Sequence, residues 1–269
     1  MNLTARFKRE VWQYYKTHKR VMPWRSHFSP YWVVVSELML QQTQVPRVME
    51  IFPQFVRVFP SFASLARAPR AQVLRAWQGL GYNRRAVYLH QIAQRVVREH
   101  KGTVSRDLSI LQTFPGIGPN TAASICAFAF NMPVVFIETN IRTVFLHYFF
   151  KNKSAVLDVD ILPLVQKTLD VKNPRVWYWA LMDYGTYIKR VYGNPNIRSK
   201  HHTKQPPFQG SNRQLRGRVL KLLLEYPQGI TEKRLTLMCE CDSKKLQNVL
   251  NQLVFEGLIT RSRGKYLIA

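Results

Sequence analysis

Apolar residues recur at helical spacing along the first two thirds of the chain and predict a protein built mainly from α-helices. In the first stretch, Phe7, Val11 and Tyr15 are four residues apart, which places them on one face of a helix. Pro and Gly cluster between the helical stretches, where they end helices or permit turns. The predicted helices are Leu3–Thr17, Tyr31–Gln44, Arg85–His100, Thr121–Phe130, Ile141–Phe150, Val159–Thr168 and Arg175–Lys189, with several short helices across residues 52–78.

The last 58 residues show a different pattern, which predicts a second, small domain over 212–269. The first predicted helix is Arg216–Glu225. A short helix follows Ile230-Thr231, and a third helix covers Lys244–Phe255. Two apolar stretches around Gly264 then predict a β-hairpin. Three helices followed by a hairpin are the order of a winged helix-turn-helix. Residues 193–211, rich in Pro and in cations that include Lys204, are predicted to be a linker.

The segment Phe114-Pro115-Gly116-Ile117-Gly118 joins two predicted helices and is too rich in Gly and Pro to be helical itself. Glycine has no Cβ, so a partner can approach the chain closely here. The next helix begins near Pro119, and its first N–H groups would point outward and suit an anion such as a DNA phosphate. These residues alone are equally compatible with a plain turn. The phosphate contacts that we predict are Gly116, Gly118, Asn120 and Thr121.

Composition indicates a folded protein with a polyanionic partner. Of the 269 residues, 46% are apolar, which is enough for a core and excludes a disordered chain. Lys and Arg number 40 against 15 acids, a formal charge of +25. An excess of this size favours nucleic acid over an acidic membrane as the partner.

Three cysteines are too few for a disulfide framework and indicate a reducing compartment. The first residues lack an apolar signal core, and apolar runs such as Val33–Leu40 are too short to cross a bilayer. We therefore expect a cytoplasmic monomer, associated with the nucleoid if the organism is prokaryotic. His201-His202 and Cys239-Glu240-Cys241 are too sparse to predict a metal site.

The helix predicted over Tyr31–Gln44 is apolar nearly all round, yet it contains one acid, Glu37. One interpretation is a carboxylate that reaches water at the helix edge. However, a carboxyl surrounded by Val, Leu and Met is poorly solvated, which raises its pKa toward neutrality, as a general acid near pH 7 requires. A second acid, Glu138, begins a later helix, where the helix dipole favours the ionised form. Two carboxyls in contrasting environments can divide acid and electrostatic roles.

Several segments together resemble the helix-hairpin-helix DNA glycosylases, the superfamily of endonuclease III and MutY. They are the glycine hairpin, the alanine-rich helix after it, and an acid followed by T-N-I-R at 139–142. The run S-E-L-M-L-Q-Q-T-Q-V at 36–45, P-W-R at 23–25 and G-L-G-Y at 79–82 are similar to the MutY branch. The resemblance extends over about Leu3–Lys189 and, as we interpret it, stops there.

The resemblance implies a two-lobed, mainly α glycosylase core over residues 1–192. Residues 28–132 would form a six-helix lobe with the hairpin, and residues 1–27 and 133–192 the second lobe. It also implies roles for particular residues. Glu37 would protonate the departing base, Glu138 would face the sugar, and Asp183 would be structural. Arg25, Asn120 and Trp179 would line the base pocket, while Gln42, Thr43, Leu80 and Tyr82 would enter the duplex or touch the opposite base.

The chain departs from the family pattern at four places. The sugar-facing acid is usually aspartate, whereas Glu138 is one methylene longer. Bifunctional members carry a lysine where this chain has Asn120, so we expect base excision without strand cleavage. Four cysteines hold an iron-sulfur cluster in other members, but none follows Lys189 before Cys239, so we expect no cluster and at most a monovalent cation at the hairpin. A winged helix replaces the MutY domain that inspects 8-oxoguanine.

The resemblance thus favours a monofunctional DNA glycosylase, with adenine opposite 8-oxoguanine or guanine as the first choice of target. A uracil, thymine or damaged-pyrimidine glycosylase is an alternative, since such relatives also lack the lysine. A catalytically weak DNA-binding protein is another. For the winged helix, DNA binding is favoured over protein docking. Its predicted DNA contacts are Lys244, Lys245, Gln247, Arg261, Arg263 and Lys265.

Overall fold

The computed structural model describes residues 2–203 and 207–269, so that Lys204 and its two successors in the predicted linker lie outside the described residues. The prediction of a mainly helical chain with a small C-terminal sheet is confirmed. The helices are α1 (Leu3–His18), α2 (Pro30–Leu40), α3 (Val45–Val58), α4 (Phe62–Arg67), α5 (Arg70–Ala76), α6 (Arg84–Glu99), α7 (Leu108–Gln112), α8 (Pro119–Phe130), α9 (Thr139–Phe149), α10 (Asp158–Thr168), α11 (Pro174–Tyr192), α12 (Asn212–Glu225), α13 (Glu232–Cys239) and α14 (Ser243–Phe255).

Contacts between Cα atoms divide the chain into two compact units. Among the described residues, the first comprises 2–37, 105–113 and 117–203, and the second comprises 38–104, 114–116 and 207–269. This division differs from the lobes expected from the resemblance, because α8 groups with α9 and α11 rather than with α3–α6. The lobe boundaries expected from sequence stay a prediction.

The core of the first unit is rich in aromatic rings contributed by α1, α9 and α11. Phe7 of α1 is fully buried and its ring centroid lies 5.2 Å from those of Phe145 and Phe149 and 6.1 Å from that of Trp177. Tilted and edge-on ring pairs of this kind add to the free energy of burying large apolar surfaces. These contacts fix the three helices against one another.

Gly185 allows α11 to pass very close to the start of α9. A Cβ added at Gly185 would lie 2.3 Å from the backbone oxygen of Asn140, a distance that atoms do not tolerate. Asn140 belongs to the first turn of α9, whose N-cap is Glu138. The absence of a side chain at Gly185 therefore determines where the backbone around Glu138 lies.

A buried arginine organises the loops of the second unit. The Arg85 guanidinium, on α6, donates from Nη1 to the carbonyls of Leu38, Met39 and Gln41 at 2.7, 2.9 and 2.5 Å. It also donates from Nη2 to Thr43 Oγ1 at 2.9 Å. Because carbonyls at a helix C-terminus lack partners within the helix, Arg85 satisfies the end of α2. The sequence prediction that this helix continues to Gln44 is wrong, since α2 ends at Leu40 and Gln42 has a φ of +54°.

The C-terminal domain has the predicted three helices and hairpin, together with a third strand. Strands β1 (Ile230–Thr231), β2 (Ile259–Ser262) and β3 (Lys265–Ile268) form an antiparallel sheet in the order β1-β3-β2. Arg70 Nη1 donates to the Gly257 carbonyl at 2.8 Å and Arg75 Nη2 to the Leu224 carbonyl at 2.7 Å. These two bonds attach the domain to α5 within the second unit.

Part of the predicted linker is packed rather than extended. Pro195–Arg198 forms a 3-10 turn in which Pro195 and Asn196 are buried. Asn196 Nδ2 donates to Thr143 Oγ1 of α9 at 2.6 Å, and Val156 forms a parallel bridge with Ser199. In the part of the chain that the structure describes, none of the helices combines the length and hydropathy needed to cross a bilayer.

Two glycines in helices should respond in opposite ways to alanine. Gly185→Ala should lower the free energy of unfolding by about 2 kcal/mol or more, because the backbone of Asn140 cannot move away from the new methyl group. Gly217→Ala, in α12, should raise it by about 0.5–1 kcal/mol, since an added Cβ meets no atom within 4 Å and alanine favours helix. Urea unfolding of both variants checks this, and equal effects would contradict the close approach of α11 to α9.

Candidate active site

Glu37 lies on α2, where the neighbouring side chains are apolar and buried, Val33 to Val35, Leu38 and Met39 among them. Its carboxyl is surrounded by protein while part of its surface stays accessible. Ser124 Oγ, on α8, donates a hydrogen bond to Glu37 Oε2. The position of this carboxyl between two helices fits the predicted buried acid better than a solvated helix edge.

Burial raises the pKa of Glu37 to about 7, the direction that the sequence indicates. The negative charge of Glu138 raises it further, whereas the Ser124 hydrogen bond and the charge of Arg25 lower it. At neutral pH a large share of Glu37 therefore carries its proton. A carboxyl in this state can donate a proton to a leaving group.

Ser124 has one hydroxyl proton and two acceptors within reach. Besides Glu37, the Thr121 carbonyl lies 3.0 Å from Ser124 Oγ. When Glu37 is neutral, its O–H can donate to Ser124 Oγ while Ser124 donates to Thr121, and this chain satisfies both groups. The sequence prediction did not include Ser124, although a serine among the alanines of α8 was a usable signal.

Glu138 is the N-cap of α9, as its position in the sequence predicts. Its Oε1 accepts from the backbone N–H groups of Asn140 and Ile141 at 2.9 and 3.1 Å. Burial nevertheless raises the pKa of Glu138, while these two bonds and the charges of Lys189 and Arg142 act in the opposite direction. The expectation that the helix terminus alone keeps Glu138 ionised was therefore incomplete, because it left out the cost of desolvation.

Lys189 is a second group that the sequence analysis overlooked. It lies on α11, and burial lowers its pKa while the charge of Glu138 raises it. Each group thus stabilises the charged form of the other. Lys189 occupies the stretch that we considered only for its lack of cysteines, so no local pattern pointed to a role beside Glu138.

Arg25 is held by a buried carboxylate. Asp183 on α11 is 1% exposed, and it accepts from Arg25 Nη1 at 3.0 Å and from Arg20 Nε at 2.7 Å. The Arg25 guanidinium also lies over the Trp179 ring, 5.4 Å from its centroid. Asp183 thus holds Arg25 in place, and Arg25 lies beside Trp179; the role of these two residues in a base pocket stays a prediction.

The other predicted residues of the pocket and hairpin surround the start of α8. Gly118 is the N-cap, Asn120 is exposed in the first turn, and Thr121 is partly buried. Gly116 has a φ of +76°, and a Cβ there would lie 2.6 Å from the Tyr88 ring, so only glycine fits. The helix N-terminus predicted for phosphate binding is thus formed, and the roles of these residues stay predictions.

The loops predicted to enter the duplex belong to the second unit. Gln42 is exposed, and Tyr82, with a φ of +45°, is 38% exposed. Leu80 is only 5% exposed, so its side chain is not available to a duplex in this structure. Thr43 donates to the Leu80 carbonyl at 3.3 Å and accepts from Arg85, which indicates that it supports the loop.

The residues predicted to bind DNA through the winged helix lie on α14 and on the hairpin. Lys244 and Gln247 of α14 are exposed, while Lys245 donates to the Gly210 carbonyl at 2.8 Å. Arg261, Arg263 and Lys265 are exposed on β2, the turn and β3. Among the described residues, no three His, Cys, Asp or Glu side chains are grouped closely enough to hold a metal ion.

Comparison with known proteins decides the family. Residues 35–159 match the model of the HhH-GPD superfamily of base excision DNA repair proteins. An adenine DNA glycosylase of Mycobacterium tuberculosis is 32% identical over 93% of this chain and 88% of its own length. The chain belongs to the adenine DNA glycosylase branch of the HhH-GPD superfamily. It is a DNA glycosylase, and DNA is its partner.

The similarity extends further than the sequence analysis expected. Since it covers 93% of the chain, the inference that the resemblance stops near Lys189 was wrong. Solved structures share the fold. A thermostable thymine-DNA glycosylase has a TM-score of 0.62 at 23% identity, covering 68% of this chain and 86% of that one. An endonuclease III–DNA complex has a TM-score of 0.59 at 15% identity, covering 71% of this chain and 89% of that one.

The raised pKa of Glu37 predicts a pH-dependent stabilisation by Glu37→Gln. The folded protein keeps this carboxyl neutral up to about pH 7, whereas the unfolded chain ionises it near 4.5, so the wild type loses stability as pH rises from 4.5 through 7. The variant avoids this loss. The difference between the free energies of unfolding, variant minus wild type, should therefore increase by about 3 kcal/mol between pH 4.5 and pH 8.

Urea unfolding at the two pH values measures this difference, with Glu50→Gln as a control at an exposed carboxyl. A difference that does not change with pH for Glu37→Gln would show that Glu37 is as well solvated as Glu50, and would remove the basis for its role as an acid.

Proposed function

We propose that this glycosylase removes adenine opposite 8-oxoguanine or guanine from duplex DNA by hydrolysis of the N-glycosidic bond, without cleaving the strand. The observation that carries the chemistry is the pair Glu37 and Glu138, in which one carboxyl has a pKa of about 7 and the other caps a helix N-terminus. The choice of adenine is supported by the relative from M. tuberculosis, an adenine DNA glycosylase that resembles this chain over nearly its full length.

In the proposed reaction, neutral Glu37 donates its proton to the base. The C–N bond breaks with its electron pair moving to the base, and the sugar becomes cation-like. Glu138 in its anionic form, supported by two backbone N–H groups and by Lys189, stabilises that positive charge. Water then adds to the sugar carbon and releases a proton. That proton returns to Glu37, so that Glu37 is again neutral and Glu138 anionic.

The base must leave the helical stack to reach carboxyls that protein surrounds, which costs a few kcal/mol. We assign the filling of the gap to the exposed side chains of Gln42 and Tyr82. The loop that carries them is supported by Arg85 through Leu38, Met39 and Thr43. Leu80 is assigned a place in the loop core, since it is buried.

The absence of strand cleavage follows in this proposal from the lack of a reactive amine. Asn120 takes the place of the family's lysine at the start of α8. Lys189 is an amine near Glu138; burial lowers its pKa and the charge of that carboxylate raises it, and we assign it to the neutralisation of Glu138 rather than to attack on the sugar. We further propose that the protein is a cytoplasmic monomer without an iron-sulfur cluster.

Single-turnover base release from defined duplexes tests the proposal. The panel holds adenine opposite 8-oxoguanine, guanine or cytosine, and uracil, thymine or a hydroxylated pyrimidine opposite guanine, each analysed with and without alkali. We expect release of adenine opposite 8-oxoguanine and guanine, with strand breaks only after alkali. Glu37→Gln and Glu138→Gln should each lower the rate by about 100-fold or more.

The panel also distinguishes the alternatives. Release of a pyrimidine in preference to adenine would replace the proposed target while leaving the two carboxyls in place. Binding without release of any base would overturn the catalytic proposal and favour the DNA-binding alternative. Strand breaks without alkali that disappear in Lys189→Gln would show that this amine is reactive.

Asn120→Lys provides a gain-of-function test of the missing amine. The residue is exposed in the first turn of α8, so lysine should be accommodated without a loss of stability. We expect borohydride to trap a covalent complex between the variant and DNA, because a primary amine can attack the sugar carbon. Wild type and Asn120→Gln should give no trapped complex, and equal trapping by all three would contradict the role assigned to this position.

A further inference from the structure

A large groove lies within the second unit, between the loops that carry Gln42 and Tyr82 and the helix α12. Its volume is about 1410 Å³. One wall is formed by residues 41–47 and 78–88, and the other mainly by α12, with Phe208 before it and Gln252 and Glu256 at the end of α14. The sequence pattern predicts no role for α12, since the DNA contacts predicted for the C-terminal domain lie on α14 and the hairpin.

Both walls of the groove are basic. Arg47 and Arg84 line the wall formed by the loops, and Arg213, Arg218 and Lys221 line the wall formed by α12. Among the described residues that line the groove, the one acid is Glu256, and Arg216 neutralises it at 2.5 Å. Three of these cations, Arg47, Arg218 and Lys221, also pair with exposed acids outside the lining, at 2.9, 3.5 and 3.9 Å. The lining itself keeps a basic excess, and a concave basic surface attracts a polyanion.

Two exposed aromatic rings lie among these cations. Tyr82 is 38% exposed and Phe208 is 61% exposed, and both line the groove. Arg213 Nη1 donates to the Tyr82 hydroxyl at 3.2 Å and so links the two walls. Exposed aromatic rings beside basic side chains are the groups that nucleic-acid grooves use to stack on unpaired bases.

Gly217 occupies the middle of α12 and has no structural explanation within the protein. Glycine destabilises a helix interior by about 1 kcal/mol relative to alanine. An added Cβ at Gly217 would meet no atom within 4 Å, so internal packing does not require glycine there. Arg213, Gly217 and Lys221 are four residues apart and share one face of α12. Glycine between two cations leaves room for a ligand backbone against the helix.

The wall formed by α12 is held in place rather than mobile on a linker. Arg75 donates to a carbonyl in the last turn of α12, and Arg70 donates to Gly257 after α14. Arg216 of α12 also pairs with Glu256. The distance between the two walls is therefore set by the folded second unit, and the groove is formed before DNA binds.

We propose that α12, and not α14 or the hairpin, is the DNA-binding element of the C-terminal domain. The groove holds the backbone of the DNA strand that passes Gln42 and Tyr82, with phosphates at Arg213 and Lys221 and a sugar against Gly217. This inference rests on the proposed function only in taking duplex DNA as the substrate. The C-terminal domain then increases the affinity for DNA, because it contacts the strand beside the loops that are predicted to contact the base opposite the target.

The first experiment measures the affinity for an undamaged duplex as a function of salt, which does not depend on base release. Arg213→Gln with Lys221→Gln should weaken binding at least tenfold at low salt. The double variant should also lower the slope of log K against log salt by about two, since each phosphate contact contributes about 0.9. Arg263→Gln with Lys265→Gln removes the same charge from the hairpin and tests the rival site. Lys233→Gln on α13, outside the groove, measures the general effect of one lost charge.

The second experiment fills the groove without removing any charge. Gly217→Gln should keep or raise the melting temperature, because the added side chain enters open space and favours helix. It should nevertheless weaken duplex binding about tenfold or more, since the side chain occupies the place of the sugar. Gly217→Ala is the matched control with the smallest added group, and it should bind more tightly than Gly217→Gln.

The outcomes separate this proposal from the proposed function. A loss of slope in the Arg263/Lys265 pair, with none in the Arg213/Lys221 pair, would overturn the groove and restore the hairpin as the contact. Tight binding by Gly217→Gln would also overturn it. Base release by wild type on the substrate panel tests the glycosylase proposal independently of either result.

Discussion

The burial of one carboxyl, Glu37, in an apolar helix is the constraint on which the candidate active site depends. A buried carboxylate is costly to solvate, and the fold responds by keeping Glu37 protonated near neutral pH. Ser124 supplies its hydrogen-bond partner, and Glu138 supplies the negative charge that raises its pKa further. Poor solvation of the ionised carboxylate both lowers the stability of the folded protein and keeps the proton on Glu37 at pH 7. The loss of stability therefore accompanies the capacity to act as an acid.

Small residues allow the elements of the site to approach one another. In α8, Ala122, Ala123 and Ala127 are buried around Ser124, and Ser124 reaches Glu37 of α2 through a hydrogen bond. Gly185 does the same for α11 and the start of α9. The site is thus positioned by the absence of side chains as much as by the side chains that carry the chemistry.

The basic excess of the chain serves two purposes. Several arginines are directed inward, where Arg20 and Arg25 neutralise Asp183 and Arg85 satisfies the carbonyls at the end of α2. Arg70 and Arg75 attach the C-terminal domain to α5 in the same way, through carbonyls. A count of charges therefore overstates the surface available to DNA, and only the structure separates structural arginines from those that line the groove.

The sequence by itself determined the helical pattern, the C-terminal helices and hairpin, and the acid Glu37, because periodicity, turn residues and a lone charge in an apolar run are local signals. It placed Glu138 at a helix start for the same reason. Tertiary structure alone decided that Ser124 and Lys189 act on these carboxyls, that Leu80 is buried, and that α12 faces the loops. Those relations join residues far apart in the chain, and they depend on how closely two backbones approach, which no local pattern encodes.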